Sequence, residues 1–226
     1  MKNIIFIGLI FSILNLCCPH KALTAYFQDN KTENNPIGFV FIDFSRITNQ
    51  EEAVSVLDQN GDTILYLQNR VISLHGIDYA VYDEEHLYKK LVDAEVFEPE
   101  YGFFILRCYE ITDQFYKVEL NEKVALVSKD VTSKSIQFKN VEKYIMESYP
   151  MPTQQNPIRV SPDEDADEVN DFDKWTYLPV EIDGDWVKVV DDKDCYSGEA
   201  PSSIDIKGWI RWRKDGKFIL KVAHTC

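Results

Sequence analysis

The clearest hydrophobic pattern in the chain lies between residues 183 and 221, where short apolar stretches alternate with polar ones. Alternation predicts a strand at 185–190, with Val187 and Val189 on one face, and another at 208–213, with Ile210 and Trp212 on one face. The opposite faces carry Trp186, Lys188 and Val190 on the first strand, and Trp209, Arg211 and Arg213 on the second.

Two Asp-Gly pairs border these strands, Asp183-Gly184 and Asp215-Gly216. Each predicts a type I′ hairpin turn, because both central residues of that turn need a positive φ. Short, strongly twisted strands joined by such turns close most easily into a small barrel.

The strand Gly184-Asp185-Trp186-Val187-Lys188-Val189, followed after an irregular insert by Gly208-Trp209-Ile210, resembles the late strands of SH3-like domains, in particular the bacterial kind. The resemblance extends over residues 156–223. It implies a ligand groove on the outer face of the barrel, where rigid aromatic side chains supply binding energy. The residues that would line this groove are Trp186, Trp209, Trp175, Tyr177, Arg211 and Arg213. The alternative is that the tryptophans cover an open end of the barrel.

The resemblance also bears on the partner. Polyproline-binding domains have Pro-x-Asn-Tyr where this chain has Arg211-Trp212-Arg213, which argues against a proline-rich ligand. Bacterial relatives commonly accompany cell-wall enzymes, so the resemblance implies a peptide, a cell-wall component or an envelope protein. The two arginines would favour an acidic group on that partner.

The first half of the chain is predicted to combine strands with short helices. A hairpin at 53–67 turns at Asn60-Gly61, and apolar spacing predicts helices at 84–96 and 140–149, the second with Asn140 as its N-cap. Further strands are predicted at 37–44, 71–74, 101–111, 115–120 and 124–129. Because 115–129 takes the place of the two signature strands, we expect a diverged second SH3-like copy, with an unrelated α+β domain as the alternative.

A proline-rich segment separates the halves. Tyr149–Pro157 has three prolines and no apolar periodicity, so we expect an extended and poorly packed linker. The predicted fold is mainly β, with two small SH3-like β-barrel domains in tandem, the first with short added helices. The expected division is a signal peptide at 1–25, a first domain at 37–149, a linker at 150–157 and a second domain at 158–226.

Residues 1–25 have the pattern of a secretory signal peptide. Lys2 precedes an apolar run at 4–16 that is too short to span a bilayer, and Ala25 is a small residue suited to cleavage. The alternative is a lipid anchor on Cys17 or Cys18. We therefore expect an exported bacterial protein, either periplasmic or secreted.

The mature chain would be strongly acidic. Cleavage after Ala25 would remove Lys2 and Lys21 and no acid, so the formal charge of −14 would become −16. Such a chain is repelled by nucleic acid and by anionic lipid surfaces. We expect no nucleic-acid partner, and no later apolar segment approaches membrane-spanning length.

Candidate catalytic and metal-binding patterns are weak. Asp163–Asp173 carries seven carboxylates, but Glu168 occupies the position where a calcium loop needs glycine, so we expect a solvated loop held open by charge repulsion. Cys108 lies within an apolar strand and is expected to be buried and inert. No metal pair is recognisable among the histidines, which are His75, His86 and His224 after cleavage. We predict no metal and no cofactor.

The remaining two cysteines of the mature chain, Cys195 and Cys226, are the only ones in its second half. Export to an oxidising compartment permits a disulfide, so we expect them to pair and Cys108 to stay free.

The function predicted from the sequence is a non-catalytic binding module. The alternative, from another class, is an envelope hydrolase or inhibitor with its site in residues 37–150. No nucleophile motif or phosphate-binding loop favours the second hypothesis.

Overall fold

The computed structural model describes residues 35–43, 47, 53–68, 71–74, 77–80, 94–98, 102–129, 135–169, 177–192 and 206–224. Within these ranges the chain forms seventeen strands and one helix, which confirms the mainly β prediction. The signal peptide at 1–25 lies outside the described residues. Residues 84–93 of the helix predicted at 84–96 also lie outside the described residues. The last residue of that predicted helix, Val96, instead begins a strand.

The first half builds a single ten-stranded sheet. Its strands are β1 (Gly38–Asp43), β2 (Val54–Leu57), β3 (Thr63–Gln68), β4 (Val71–Leu74), β5 (Ile77–Ala80), β6 (Val96–Glu98), β7 (Phe103–Ile111), β8 (Phe115–Leu120), β9 (Lys123–Ser128) and β10 (Ile136–Asn140). The order is β10-β1-β7-β8-β9-β2-β3-β4-β5, with β6 also paired to β7, and all pairings are antiparallel.

This sheet is open, with β10 and β5 at its ends, so the described strands do not form the small closed barrel that we expected. The hairpin strands β3, β4 and β5 extend the ladder beyond β2 instead of returning to β10. The predicted hairpin itself is confirmed. Asp58 orders its turn, because Oδ1 of Asp58 accepts hydrogen bonds from the backbone N–H groups of Asn60 and Asp62, at 2.8 and 2.9 Å.

One face of the sheet carries the main hydrophobic core. The buried residues alternate along each strand, as expected for a sheet with one dry face. They include Val40 and Ile42 of β1, Val54 and Val56 of β2, Leu65 and Leu67 of β3, Phe104, Leu106 and Cys108 of β7, Val118 and Leu120 of β8, and Ala125 and Val127 of β9.

The predicted closing helix is present and shorter than expected. Helix α1 (Val141–Met146) begins after Asn140, whose Oδ1 accepts a hydrogen bond of 2.8 Å from the backbone N–H of Lys143. It ends at Met146 because the chain becomes extended before Pro150, and the residue preceding a proline is disfavoured in a helix.

The second half consists of smaller sheets. Its strands are β11 (Tyr149–Met151), β12 (Tyr177–Asp183), β13 (Trp186–Asp191), β14 (Ile206–Arg211), β15 (Arg213–Lys214), β16 (Lys217–Phe218) and β17 (Lys221–Ala223). Strands β12, β13 and β14 form a three-stranded antiparallel sheet, while β11 pairs with β17 and β15 with β16.

The linker prediction of a poorly packed segment is wrong. Tyr149–Met151 form β11, which pairs with β17, and both Pro150 and Pro157 are buried. A proline is tolerated here because β11 belongs to a two-stranded ladder, where the missing N–H can face away from the partner strand. The segment therefore contributes to the packing between the halves.

The two halves share a hydrophobic cluster. Phe39 of β1 stacks on Tyr144 of α1 with ring centroids 3.7 Å apart, and Phe218 of β16 meets Phe39 edge-on at 5.3 Å. Such aromatic contacts add to the free energy gained by burial. The division into two units stays a prediction, and these units are in direct contact.

Candidate functional site

The outer face of the β12–β14 sheet carries the residues that the sequence singled out. Trp186 lies opposite Arg211, and Lys188 lies opposite Trp209, so these four side chains share one face of β13 and β14. The other face packs into the second hydrophobic cluster, which includes Val187, Val189, Ile210 and Trp212. The predicted assignment of the two faces is confirmed.

The turn between β12 and β13 differs from the prediction. Strand β12 extends through Asp183, so the central turn residues are Gly184 and Asp185. Only Gly184 has a positive φ, of 54°, which fits the type II′ hairpin turn with glycine first. The second turn is as predicted, since Asp215 and Gly216 have φ of 49° and 76°.

Gly208 permits an additional segment to pair with β14. Arg159 and Trp209 exchange two backbone hydrogen bonds of 2.8 Å, so the chain at 158–160 runs alongside β14. A Cβ atom on Gly208 would overlap the carbonyl oxygen of Arg159, and its φ of 147° is unfavourable for other residues. Glycine at this position of the signature therefore serves a close backbone approach.

The first part of the acidic run is ordered rather than held open by repulsion. Val169 donates a backbone hydrogen bond of 2.7 Å to Ile158, and Val160 donates one of 3.0 Å to Asp167, closing a loop at 161–166. The Arg159 guanidinium donates a hydrogen bond of 2.6 Å to the carbonyl oxygen of Ala166 inside it. This arginine offsets the repulsion that we expected to dominate. Residues 171–173 of the acidic run lie outside the described residues.

The cations of the outer face are paired within the chain. Arg211 forms ion pairs with Glu164 of the loop and with Asp185, and Arg213 contacts Asp185 at 2.6 Å. The remaining pairs are Lys188 with Glu181 at 3.2 Å, Arg159 with Glu168 at 3.4 Å and Lys214 with Glu164 at 3.6 Å. An acidic partner would therefore have to compete with internal carboxylates for the two arginines.

The aromatic candidates fall into different environments. The side chain of Trp186 is only 8% exposed, and the guanidinium carbon of Arg211 lies 5.7 Å from its ring centroid. Trp209 is half-buried, with the Lys188 amine 5.4 Å from its ring. Tyr177 is fully buried in the second cluster and belongs to the core, so it does not line a groove. Trp175 lies outside the described residues.

A shallow groove of about 410 Å³ remains beside Trp186. It lies between the loop and the β12–β13 turn, and it is lined by Pro162, Asp183, Gly184, Asp185 and Trp186. Neither Pro162 nor Asp185 was among the residues predicted to line a ligand groove. The sequence signal that could have indicated this groove is Pro162, a rigid apolar residue that directly precedes the carboxylates of the acidic run.

The two chemical candidates from the sequence are Cys108 and a metal site. Cys108 is fully buried as predicted, and burial raises the pKa of its thiol to about 12, so the reactive thiolate is disfavoured. Within the described ranges, no three His, Cys, Asp or Glu side chains are grouped to hold a metal ion. Helix α1, the one helix among the described residues, lacks the length and apolar character to cross a membrane. Cys195 and Cys226 lie outside the described residues.

Comparison with protein-family models, with curated proteins and with solved structures found no match. The site must therefore be interpreted from its own geometry.

Proposed function

We propose that this chain is an exported, non-catalytic binding module whose C-terminal SH3-like unit recognises a peptide, a cell-wall component or an envelope protein. The partner binds in the groove between the 161–166 loop and the β12–β13 turn. The observation that carries the proposal is this groove, which combines the apolar surfaces of Pro162 and Trp186 with the carboxylates of Asp183 and Asp185.

The SH3-like assignment for residues 158–226 rests on the sequence signature and on strand pairing. The three-stranded sheet, with the 158–160 segment beside β14, agrees with a small antiparallel β unit. The first half enters the proposal as a support that packs against this unit through Phe39 and Tyr144. We assign no SH3-like unit to the first half, whose described strands form one open sheet.

The electrostatics of the groove favour a cationic group on the partner. Arg211 and Arg213 are engaged by Glu164 and Asp185, whereas the groove residue Asp183 is exposed to solvent. A lysine, arginine or amino group of the partner would meet carboxylates at the rim and apolar surface below. The overall charge of −14 would also speed the approach of a cationic partner. This partner chemistry replaces the acidic group expected from the arginines alone.

Isothermal titration calorimetry with two short peptides of equal length tests the proposal. One peptide carries a Lys-Arg pair in a neutral background, and the other carries Asp-Glu at the same positions. The account predicts binding of the basic peptide, about threefold weaker in Asp183→Asn, as expected for one exposed ion pair.

The matched control is Asp215→Asn, which removes an exposed carboxylate from the other hairpin turn and should leave the affinity unchanged. Equal effects of the two substitutions would show a non-specific response to net charge and would overturn the groove assignment. Mass spectrometry of the peptide after incubation separates binding from the hydrolase alternative, since we predict an intact peptide.

A further inference from the structure

The second face of the large sheet carries a separate pocket. Helix α1 and the C-terminal strand cover this face around Phe39, where Tyr144 stacks. Further along β1 they leave a pocket of about 270 Å³, lined among others by Phe41, Phe103 and His224. A concave site with an aromatic floor and a few polar groups is the usual form of a small-ligand site.

A largely buried cation lies at the wall of this pocket. The side chain of Lys139 is 12% exposed, and its amine lies 3.8 Å from the ring centroid of Phe41. Its anionic partner is Glu147, with the amine nitrogen and a carboxylate oxygen 2.9 Å apart. An ammonium group in this position needs an anion, because a charge that is buried without a partner loses its hydration and gains nothing in return.

Glu147 is an exchangeable partner for that cation. Its side chain is 45% exposed, and the hydrogen bond with Lys139 lowers the pKa of its carboxyl group, so it is ionised at neutral pH. It also lies 3.8 Å from Lys143 on the exposed side of α1. If another carboxylate took its place on Lys139, Glu147 would remain solvated and next to Lys143.

We propose that this pocket binds a small carboxylate with an apolar body, which displaces Glu147 from Lys139 and lays its apolar part on Phe41 and Phe103. The exchange replaces one carboxylate with another, so Lys139 stays paired throughout. The apolar part of the ligand gains the free energy of leaving water. A free acid and the C-terminal residue of a peptide share this chemistry.

The other polar groups set the selectivity. Asp43 follows Phe41 on the same face of β1 and lies at the end of the pocket away from Lys139, so a second anion would lie beside a carboxyl group and not beside an amine. Burial lowers the pKa of His224 to about 4, so its ring is neutral at pH 7 and adds no second cation. The pocket should prefer a monocarboxylate over both a dicarboxylate and an amine.

The test is a ¹H–¹⁵N NMR titration of the full chain with phenylacetate, 1,4-phenylenediacetate and phenethylamine. We expect phenylacetate to bind with a Kd of about 1 mM or tighter, given its few atoms. The two other probes should bind at least about tenfold more weakly. A peptide ending in phenylalanine with a free carboxylate, compared with its amide, shows whether the acid or the peptide terminus fits better.

Three variants locate the interaction. Lys139→Met keeps the apolar stem and should weaken phenylacetate binding by about tenfold or more, the effect of losing a charge-assisted hydrogen bond. Glu147→Gln removes the carboxylate that competes for Lys139 and should lower the Kd of phenylacetate. Lys123→Met, which removes an exposed lysine of β9 outside the pocket, is the matched control and should change the Kd by less than about twofold.

Equal binding of the amine, an unchanged Kd in Lys139→Met, or no binding of any probe by the wild-type chain would each overturn the proposal. Should Lys139→Met fail to fold, the exposed Glu147→Gln variant decides alone, since weaker or unchanged phenylacetate binding there contradicts a displacement mechanism.

Discussion

Arg211 of β14 lies over the indole of Trp186 on β13, with the guanidinium carbon 5.7 Å from the ring centroid. The same guanidinium group is ion-paired with Glu164 and Asp185. The chain thus already holds a cation between an aromatic ring and carboxylates. A partner's cationic group would meet the same combination in the adjoining groove, where Trp186 and Asp185 are lining residues.

The first prediction separates the two faces of β13. Val189→Ala should lower the free energy of unfolding by about 1–3 kcal/mol, because Val189 is fully buried and its truncation leaves a cavity. Lys188→Ala, one residue away on the outer face, should change it by less than about 0.5 kcal/mol. Urea unfolding followed by circular dichroism measures both. Equal losses would mean that the faces are assigned wrongly.

Trp186 itself is expected to behave as a partly structural residue. Since its side chain is 8% exposed, Trp186→Ala should destabilise the fold as well as weaken binding. The sequence pattern alone predicted an indole facing a ligand. Alternation specifies the face of a strand but not what covers that face, here the Arg211 guanidinium group.

The second prediction concerns the glycines of the signature. Gly208→Ala should destabilise by more than about 1 kcal/mol, because the added Cβ would meet the Arg159 carbonyl oxygen and φ is 147°. Gly184→Ala is the comparison, since its φ of 54° is also unfavourable for alanine, while a Cβ there has open space around it and should cost less. Thermal unfolding of both variants checks this. A Gly208→Ala protein as stable as Gly184→Ala would exclude the close approach of the 158–160 segment.

Short-range patterns were enough to predict most elements of the fold. The Asn140 cap, the hairpin at 53–67 and the strand at 115–120 follow from local residue chemistry, and the structure contains each of them. The ten-stranded order does not follow, because β1 pairs with β7 and β10 across long stretches of sequence. The proline content of 149–157 led to the expectation of a poorly packed linker, because composition alone does not show that β17 pairs with the segment around Pro150.

The candidate site was predictable only in part. Trp186, Trp209 and Arg211 were identified from alternation and share one face as expected. Tyr177 was assigned wrongly, because the chain places it in the core. The ion pairs of Glu164 and the pocket beside Lys139 depend on contacts between distant segments, and no local pattern in the sequence indicates them.

The third prediction is a pH dependence from His224. Its pKa is about 4 in the folded chain, against 6.5 for an ordinary histidine, chiefly because of burial and also because of the nearby Lys139 ammonium. The unfolded chain therefore binds the extra proton first as the pH falls. Stability should be fully present above about pH 6.5 and be lost as the pH falls toward 4, by about 2–3 kcal/mol from this residue.

Comparison of wild type with His224→Gln by urea unfolding between pH 4 and 8 isolates this contribution. The groups that face the ring are Lys139 on β10, Tyr144 on α1, whose hydroxyl shares a hydrogen bond of 3.2 Å with Nε2, and Phe41 on β1. Glu147 and Asp43 line the same pocket. Identical pH profiles for the two proteins would contradict a buried neutral imidazole.

The fourth prediction concerns the thiols. In protein processed after Ala25, titration with a thiol reagent in denaturant without reductant should find one free thiol, that of Cys108. The disulfide predicted between Cys195 and Cys226 would stabilise the fold by about 2–4 kcal/mol. Three free thiols would refute the pairing.

The most direct test of the binding account is the response of the groove to the basic peptide, measured by ¹H–¹⁵N NMR on the full chain. We predict that the indole N–H of Trp186 and the backbone amides of Gly184 and Asp185 show the largest chemical-shift changes, which report contact at the groove. The residues around Lys139 and His224 should not respond. Largest changes on the first-half sheet, or none at all on the β12–β13 turn, would contradict the account.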